Sequence, residues 1–300
     1  MRLGLSASST SGLAPRDAAR HLLARVDAAR AAGLDTLTFG DSHNRSGPLY
    51  FQNVPTLARA LAAWDPARPA GCLFLVPMWN PVLMAEQIGT LAAFHDGPFI
   101  VQTGLGGGAD ALADFGVSVE HRGRALDESL RIVRALFDGE TVSSDMYGIT
   151  AASFDLVPPE GVHWWMGTMN SAGLRRAARF GAAWYAAHAP LEVLPALLDE
   201  YRVACVDASA EPYVAARREA VVMADGDRAR ALAAAALESG YRGMSSEMVV
   251  AGAPDDVAEQ LSALADLGID EVMMRTMAID PAIDLETITL LGEVRRTIGG

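Results

Sequence analysis

Eight short apolar runs recur along the chain, separated by stretches of helical periodicity, and this alternation limits the possible folds more than any other feature. The runs are Leu3–Ser6, Thr36–Phe39, Cys72–Pro77, Phe99–Val101, His163–Met166, Ala182–Ala187, Ala220–Ala224 and Glu271–Thr276. They are continuous rather than alternating, as strands covered on both faces must be. The stretches between them place apolar residues on one helical face. In the segment that begins at Pro15, these are Leu22, Leu23, Val26 and Ala29, and Gly33 stands where a helix stops. Further helices are expected over Thr56–Trp64, Pro81–Phe94, Arg124–Phe137, Ser171–Phe180, Leu191–Asp207, Asp227–Ser239, Asp255–Leu267 and Leu285–Ile298. Alternating βα units with buried parallel strands predict an α/β chain folded as a (β/α)8 TIM barrel. It would be one domain over residues 1–300, with a small irregular insertion around 140–161 in which Ser153–Val157 suggests a hairpin. A doubly wound open sheet is the alternative.

The composition excludes several chemistries. At 300 residues and 51% apolar, the chain can bury a large core. Every basic side chain is an arginine, and no lysine occurs. Schiff-base aldolases, pyridoxal-phosphate enzymes and P-loop nucleotide binding all need a lysine amine. A net charge of −13 argues against nucleic acid or an anionic membrane as a partner. No apolar run is long enough for a membrane helix, and no secretory signal is visible, so a cytoplasmic location is expected. Cys72 and Cys205 are read as buried, reduced thiols.

In a barrel of this type the chemistry sits at the carboxyl ends of the strands. The residues there are Ser8 and Ser9; Asp41, Ser42 and His43; Met78, Trp79 and Asn80; Gln102, Thr103 and Gly104; Thr168, Asn170 and Ser171; His188; and Arg275 and Thr276. Asp41 is the only acid among them. No metal site is expected, because metals need several converging His, Asp or Glu ligands. The paired carboxylates of glycoside hydrolysis and the G-x-S-x-G elbow of serine hydrolases are missing. Glycines, hydroxyls, amides, aromatics and histidine remain, a set suited to a planar phosphorylated cofactor that brings its own chemistry. The stretch Phe99–Gly108 runs from a strand through Gln102 and Thr103 into Gly104 and Gly106, where a flat ligand can approach the backbone. A flexible turn is the plainer reading. Thr168, Asn170 and Ser171 open a helix whose N-terminus suits phosphate; an ordinary helix cap reads equally well. Trp79, Trp164 and Trp184 either wall a substrate pocket or belong to the core. Arg275 either neutralises an anionic substrate or phosphate or forms an ordinary ion pair.

Several motifs, in order and spacing, resemble the bacterial luciferase-like flavin-dependent oxidoreductases. Pro81 opens a helix carrying Thr90-Leu91-Ala92, and the next strand reaches Gly104-Leu105-Gly106. Phe115-Gly116 precedes the helix Arg124–Phe137, which ends in Asp138-Gly139 and contains Glu128, Leu130, Ile132, Arg134 and Leu136 at the family's spacing. Trp165-Met166-Gly167-Thr168-Met169-Asn170-Ser171 is similar to the family's P-x-W-x-G-G-x-S strand end, and Gly252-Ala253-Pro254-Asp255-Asp256-Val257 to its G-x-P-e-x-V helix start. The resemblance implies a barrel carrying FMN, or alternatively the related deazaflavin. It implies a monooxygenase in which reduced FMN, supplied in trans by a separate flavin reductase, meets O2 and a small-molecule substrate. Hydride transfer by the deazaflavin, or flavin binding without turnover, are the alternatives. Gln102, Thr103, Gly104, Gly106, Thr168, Asn170 and Ser171 would then hold the cofactor, and Trp79, His188 and Arg275 the substrate. His43 matches the family's histidine after the second strand and would act as the catalytic proton carrier, a task imidazole performs near neutral pH. A homodimer is expected.

Overall fold

The computed structural model describes the chain except at residues 8, 11, 44–48, 108, 159, 188, 278 and 300. Eight parallel strands form a closed ring: β1 (Arg2–Ser6), β2 (Thr36–Phe39), β3 (Ala70–Leu75), β4 (Phe99–Gly104), β5 (His163–Gly167), β6 (Ala183–Ala186), β7 (Val214–Val222) and β8 (Glu271–Thr276). Each pairs with the next in sequence, and β8 closes on β1 with Arg2 opposite Glu271. The expected barrel is therefore present as a single domain, and the open sheet is excluded. Helices cover the outside, and their starts follow the sequence closely. Helices Pro15–Ala31, Pro81–Ala93, Pro254–Asp266 and Pro281–Ile298 each open on a proline, whose missing N–H costs nothing in the first turn. Asn80 caps the second of these, its Oδ1 accepting from Val82 N at 3.0 Å and Leu83 N at 3.2 Å.

The main apolar core lies between strands and helices and holds Leu3, Leu5, Leu37, Val101, Trp184 and Ile288, among others. A smaller cluster of Ile100, Trp165, Tyr185, Ala215 and Met273 fills the interior of the ring from β4 round to β8. Two glycines make room for it. A methyl group on Gly71 would lie 1.9 Å from the Ile100 carbonyl, and one on Gly4 would lie 2.6 Å from the Met273 side chain. Two residues further along the strands, the inward positions turn polar: Gln102 follows Ile100, Arg217 follows Ala215 and Arg275 follows Met273. The barrel is thus plugged below and open to chemistry above.

Several elements differ from the sequence expectation. The seventh strand starts at Val214, not Ala220, because Arg217, Arg218 and Glu219 interrupt the apolar run while remaining in the ladder. A strand at Val249–Gly252 pairs with the outer half of β7, outside the ring. The hairpin of the insertion is Val142–Ser144 with Ile149–Ala152, ahead of the segment Ser153–Val157. A two-residue ladder, Ser9–Thr10 with Leu49–Tyr50, stands beyond β1 and β2. Cys72 and Cys205 are buried and free. Among the described residues, no helix is long and apolar enough to cross a membrane.

Candidate functional site

At the carboxyl ends of the strands lies a cavity of about 140 Å³. Its lining draws on almost the whole ring: Ser6 from β1, Gly40, Asp41 and Ser42 after β2, Leu73 from β3, Gln102 from β4, Tyr185 from β6, Arg217 from β7 and Arg275 from β8, with Tyr50 and Arg242 added from outside.

On the β2 side, the buried Asp41 organises its surroundings. Its Oδ2 accepts from Leu75 N and from Trp79 Nε1, both at 2.9 Å. Its Oδ1 lies 2.9 Å from His43 Nε2, yet neither of these two buried atoms completes a hydrogen bond at an acceptable angle. The His43 ring sits between Trp79, 5.9 Å away edge-on, and Phe115, 5.1 Å away and tilted. One carboxylate therefore fixes the strand end and the indole, and stands within reach of the imidazole.

On the β4 side, Gln102 is 3% exposed and its Nε2 has no partner among the described residues. Buried polar atoms almost always have partners, so an orphaned amide pointing into a cavity marks a place where something else bonds. Thr103 is absent from the lining, and its Oγ1 donates to the Trp165 carbonyl at 3.3 Å. Gly104 ends β4, and Gly106 follows at φ +73°, a conformation that favours glycine. At the end of β5, Asn170 caps helix Ser171–Arg179, its Oδ1 accepting from Gly173 N at 2.9 Å. Thr168 braces the same turn: its carbonyl accepts from Trp184 Nε1 at 2.9 Å. Neither Thr168, Asn170 nor Ser171 lines the cavity.

The β7–β8 side is charged. Glu219 and Arg275 are register partners across the ladder. Arg275 Nε donates to Glu219 Oε2 at 2.9 Å and Arg275 Nη2 donates to Oε1. Tyr241 OH donates to Oε2 at 2.9 Å, and Arg217 Nε stands 3.7 Å from Oε1. Burial alone would push the Glu219 carboxyl up, but Arg275, Arg217 and Tyr241 outweigh it and hold it below the usual carboxylate range. Burial, and then the like charge of Arg275, lower Arg217, whose guanidinium also hydrogen-bonds Tyr185.

Of the residues predicted from sequence, Gln102 and Arg275 line the cavity, and His43 and Trp79 adjoin it through Asp41. Thr103 and the turn after β5 stand apart, and His188 lies outside the described residues. Trp164 and Trp184 belong to the outer packing, whereas Trp165 is the tryptophan inside the ring. Arg217, Arg242, Tyr185 and Tyr50 were not singled out by the sequence reasoning. The charged interruption of the apolar run at Arg217–Glu219 was the available signal. Among the described residues, no group of three or more His, Cys, Asp or Glu is placed to hold a metal ion.

A sequence model of the family described as luciferase-like monooxygenase matches residues 1–271. The chain belongs to this luciferase-like family. Its fold is shared by the oxygenating constituent of 3,6-diketocamphane monooxygenase from the CAM plasmid of Pseudomonas putida, solved with FMN. That chain is 17% identical, with a TM-score of 0.84 over 98% of this chain and 97% of its own. An F420-dependent secondary alcohol dehydrogenase, solved with an F420–acetone adduct, is also 17% identical, with a TM-score of 0.82 over 99% and 98% of the two chains. An uncharacterised protein of Mycobacterium tuberculosis is 32% identical over 110 residues, which are 35% of this chain and 37% of that protein. The match thus spans little more than a third of that relative's length. Luciferase-like relatives of this fold include both FMN and F420 oxidoreductases.

Proposed function

We propose that this chain is a flavin-dependent oxidoreductase acting as a monooxygenase, with reduced FMN and O2, on a small organic substrate. The observation that carries the reading is the polar cavity at the top of a closed luciferase-like barrel, with an orphaned buried amide at Gln102 and a histidine held against an aspartate at its edge. The residues present fit a flavin. Gln102 Nε2 offers an unused donor to a planar heterocycle's carbonyl or ring nitrogen. Gly107 has open space where a side chain would be, so the backbone after β4 can lie against a flat ring. The nine-residue helix Ser171–Arg179, with Thr168 beside its cap, presents a first turn suited to a phosphate.

Bound reduced FMN would supply electrons to O2, whereas a deazaflavin would exchange hydride with the substrate. The protein's own part is positional. Asp41 holds Trp79 and the end of β3, and keeps His43 Nε2 within 2.9 Å of Oδ1. Hydrogen bonds of this type are often poorly aligned before ligand binding and tighten afterwards. With Nε2 turned to Asp41, His43 then moves a proton at Nδ1, and the flanking Trp79 and Phe115 limit water around it. A reductase supplying FMN and a homodimeric assembly belong to the same reading.

The deazaflavin reading is kept because an F420-dependent dehydrogenase matches the fold as fully as the FMN-containing monooxygenase does. Titrating the purified protein with FMN and with F420, followed by flavin fluorescence, separates the two. The monooxygenase reading expects FMN to bind and O2 to be consumed, at an oxygen electrode, when a flavin reductase and NADH are added with substrate. Binding of F420 alone supports the dehydrogenase reading. Failure of both cofactors to bind overturns each.

A further inference from the structure

We propose that the aromatic plug of the barrel is an electron relay. It carries oxidising equivalents away from the cavity, through Tyr185, Trp165 and Tyr213 in turn, to the floor of the ring, where Glu271 takes the proton. The relay rests on the flavin reading only for the identity of its oxidant.

The three rings stand in order down the barrel. Tyr185 lines the cavity. Trp165 is next, with ring centroids 5.7 Å apart, and Tyr213 follows, 6.2 Å from Trp165. The strand register gives the same order: Trp165 pairs with Ala183, two residues before Tyr185, and Tyr213 precedes Val214, the partner of Trp184. Both separations are those of aromatic rings in contact, a gap that one electron crosses readily. Tyrosine and tryptophan are also the aromatic side chains that give up an electron most easily. Tyr185 and Trp165 are buried, whereas Tyr213 is only half-buried, so the far end of the relay meets solvent. Hydrogen bonding sets the direction. An oxidised phenol must shed its proton. Tyr185 is hydrogen-bonded by the Arg217 guanidinium, which stays protonated and cannot take that proton. Tyr213 OH instead donates to Glu271 Oε2 at 2.7 Å, and a carboxylate can take it. Burial raises the Glu271 carboxyl, which makes it a better base, and Arg2 stands 4.0 Å from the same oxygen. The balance is then complete. One electron passes to the oxidant in the cavity, by class an excited oxidised flavin, and the vacancy moves through Trp165 to Tyr213. There the O–H bond breaks, the proton goes to Glu271 Oε2, and a neutral phenoxyl radical is left. A soluble reductant such as ascorbate returns one electron, and Glu271 returns the proton. Trp79, bonded to Asp41 and edge-on to His43, is the competing oxidisable ring beside the cavity.

The test uses the full chain with and without FMN, whose binding is followed separately by flavin fluorescence. With FMN, a blue-light flash is followed by transient absorption, and the radical is trapped by freezing for electron paramagnetic resonance. The expected result is a tyrosyl radical that is lost in Trp165→Phe and in Tyr213→Phe, weakened in Glu271→Gln and kept in Trp79→Phe, with FMN affinity unchanged throughout. Without FMN, a near-ultraviolet flash ionises tryptophan directly, and the tyrosyl signal that follows should be weaker in Tyr213→Phe than in the native chain. Trp165 plugs the ring, so Tyr213→Phe, which removes one hydroxyl from a half-buried side chain, keeps the test valid should Trp165→Phe fail to fold. A Tyr213-dependent signal under ultraviolet light in a chain that binds no FMN supports the relay while removing the flavin reading. A radical that survives Tyr213→Phe under blue light, one lost only in Trp79→Phe, or none under either flash would overturn the proposal. So would a Tyr213 radical under ultraviolet light alone with FMN bound, since that detaches the relay from the cavity.

Discussion

Replacing Arg275 with methionine keeps most of the side chain's bulk and leaves Glu219 buried beside a weaker set of partners. Glu219 is 1% exposed, and its closest charge contact for which the geometry is well formed is Arg275 Nε at 2.9 Å. At that separation the pair is worth about 6 kcal/mol with an effective dielectric of about 20. Removing one partner of a buried pair typically costs about 3–5 kcal/mol. Arg217 and Tyr241 remain near the carboxylate, at 3.7 and 2.9 Å, so the lower end, about 3 kcal/mol, is expected. The pH dependence gives the mechanism a signature. In the native protein Glu219 titrates below the usual range, so its contribution is present above the ordinary carboxylate pKa and is lost as pH falls through the depressed value. In the variant, burial dominates and raises the same carboxyl, so its penalty grows with pH. The gap between the two proteins should therefore be widest near pH 8 and narrow towards pH 5. Urea titration followed by tryptophan fluorescence should show a midpoint lowered by about 1 M at pH 8, taking a slope of about 3 kcal/mol per molar. The double variant Arg275→Met with Glu219→Leu should recover most of the loss. A midpoint shift below about 0.3 M at pH 8, or one that is the same at pH 5, would refute this account of the wall.

Three further outcomes are expected. His43→Ala should lower turnover about 100-fold, with FMN affinity in fluorescence titration changed by less than about threefold, because the ring's assigned task is proton transfer rather than cofactor binding. Glu271, fully buried at the start of β8, has its carboxyl raised, first by burial; its neutral form is favoured, and stability falls as pH rises above the ordinary carboxylate range. Glu271→Gln should therefore raise stability by about 1 kcal/mol at pH 8, with the gain vanishing near pH 4, as read from thermal melts across that span. Gly71→Ala would place its methyl group 1.9 Å from the Ile100 carbonyl, a backbone atom locked in the neighbouring strand, and should give insoluble protein or a melting temperature lowered by more than 10 °C.

The barrel was readable because parallel strands covered on both faces leave runs such as Cys72–Leu75 and Phe99–Val101 with no polar residue, and because prolines such as Pro15 and Pro81 mark helix starts. The seventh strand failed that rule for a physical reason. Inward-facing Arg217 and Glu219 satisfy each other and their neighbours across the mouth of the ring, a compensation that depends on Arg275, fifty-six residues away from Glu219. No local pattern contains it. The same distance hid the charged wall, although Arg275 itself was recognised by its place at a strand end. Asp41 and His43 were visible as a polar loop after β2, but the bond from Trp79 to Asp41 spans thirty-eight positions and emerges only when β2 and β3 lie side by side. Thr103 shows the converse limit: its position beside Gln102 suggested a shared role, and strand alternation turned the two in opposite directions.

The seam between β1 and β8 has a consequence for biosynthesis. Arg2 to Leu5 find their partners at Glu271 to Met274, so the first strand waits with one edge bare until β8, about 270 residues later, has left the ribosome. Its neighbour on the other side, β2, is made early and can shield one flank, but the second flank stays open to unwanted strand pairing until β8 arrives. Slow, late sealing of this kind makes yield during expression sensitive to growth temperature and chaperone supply, even where the finished molecule is robust.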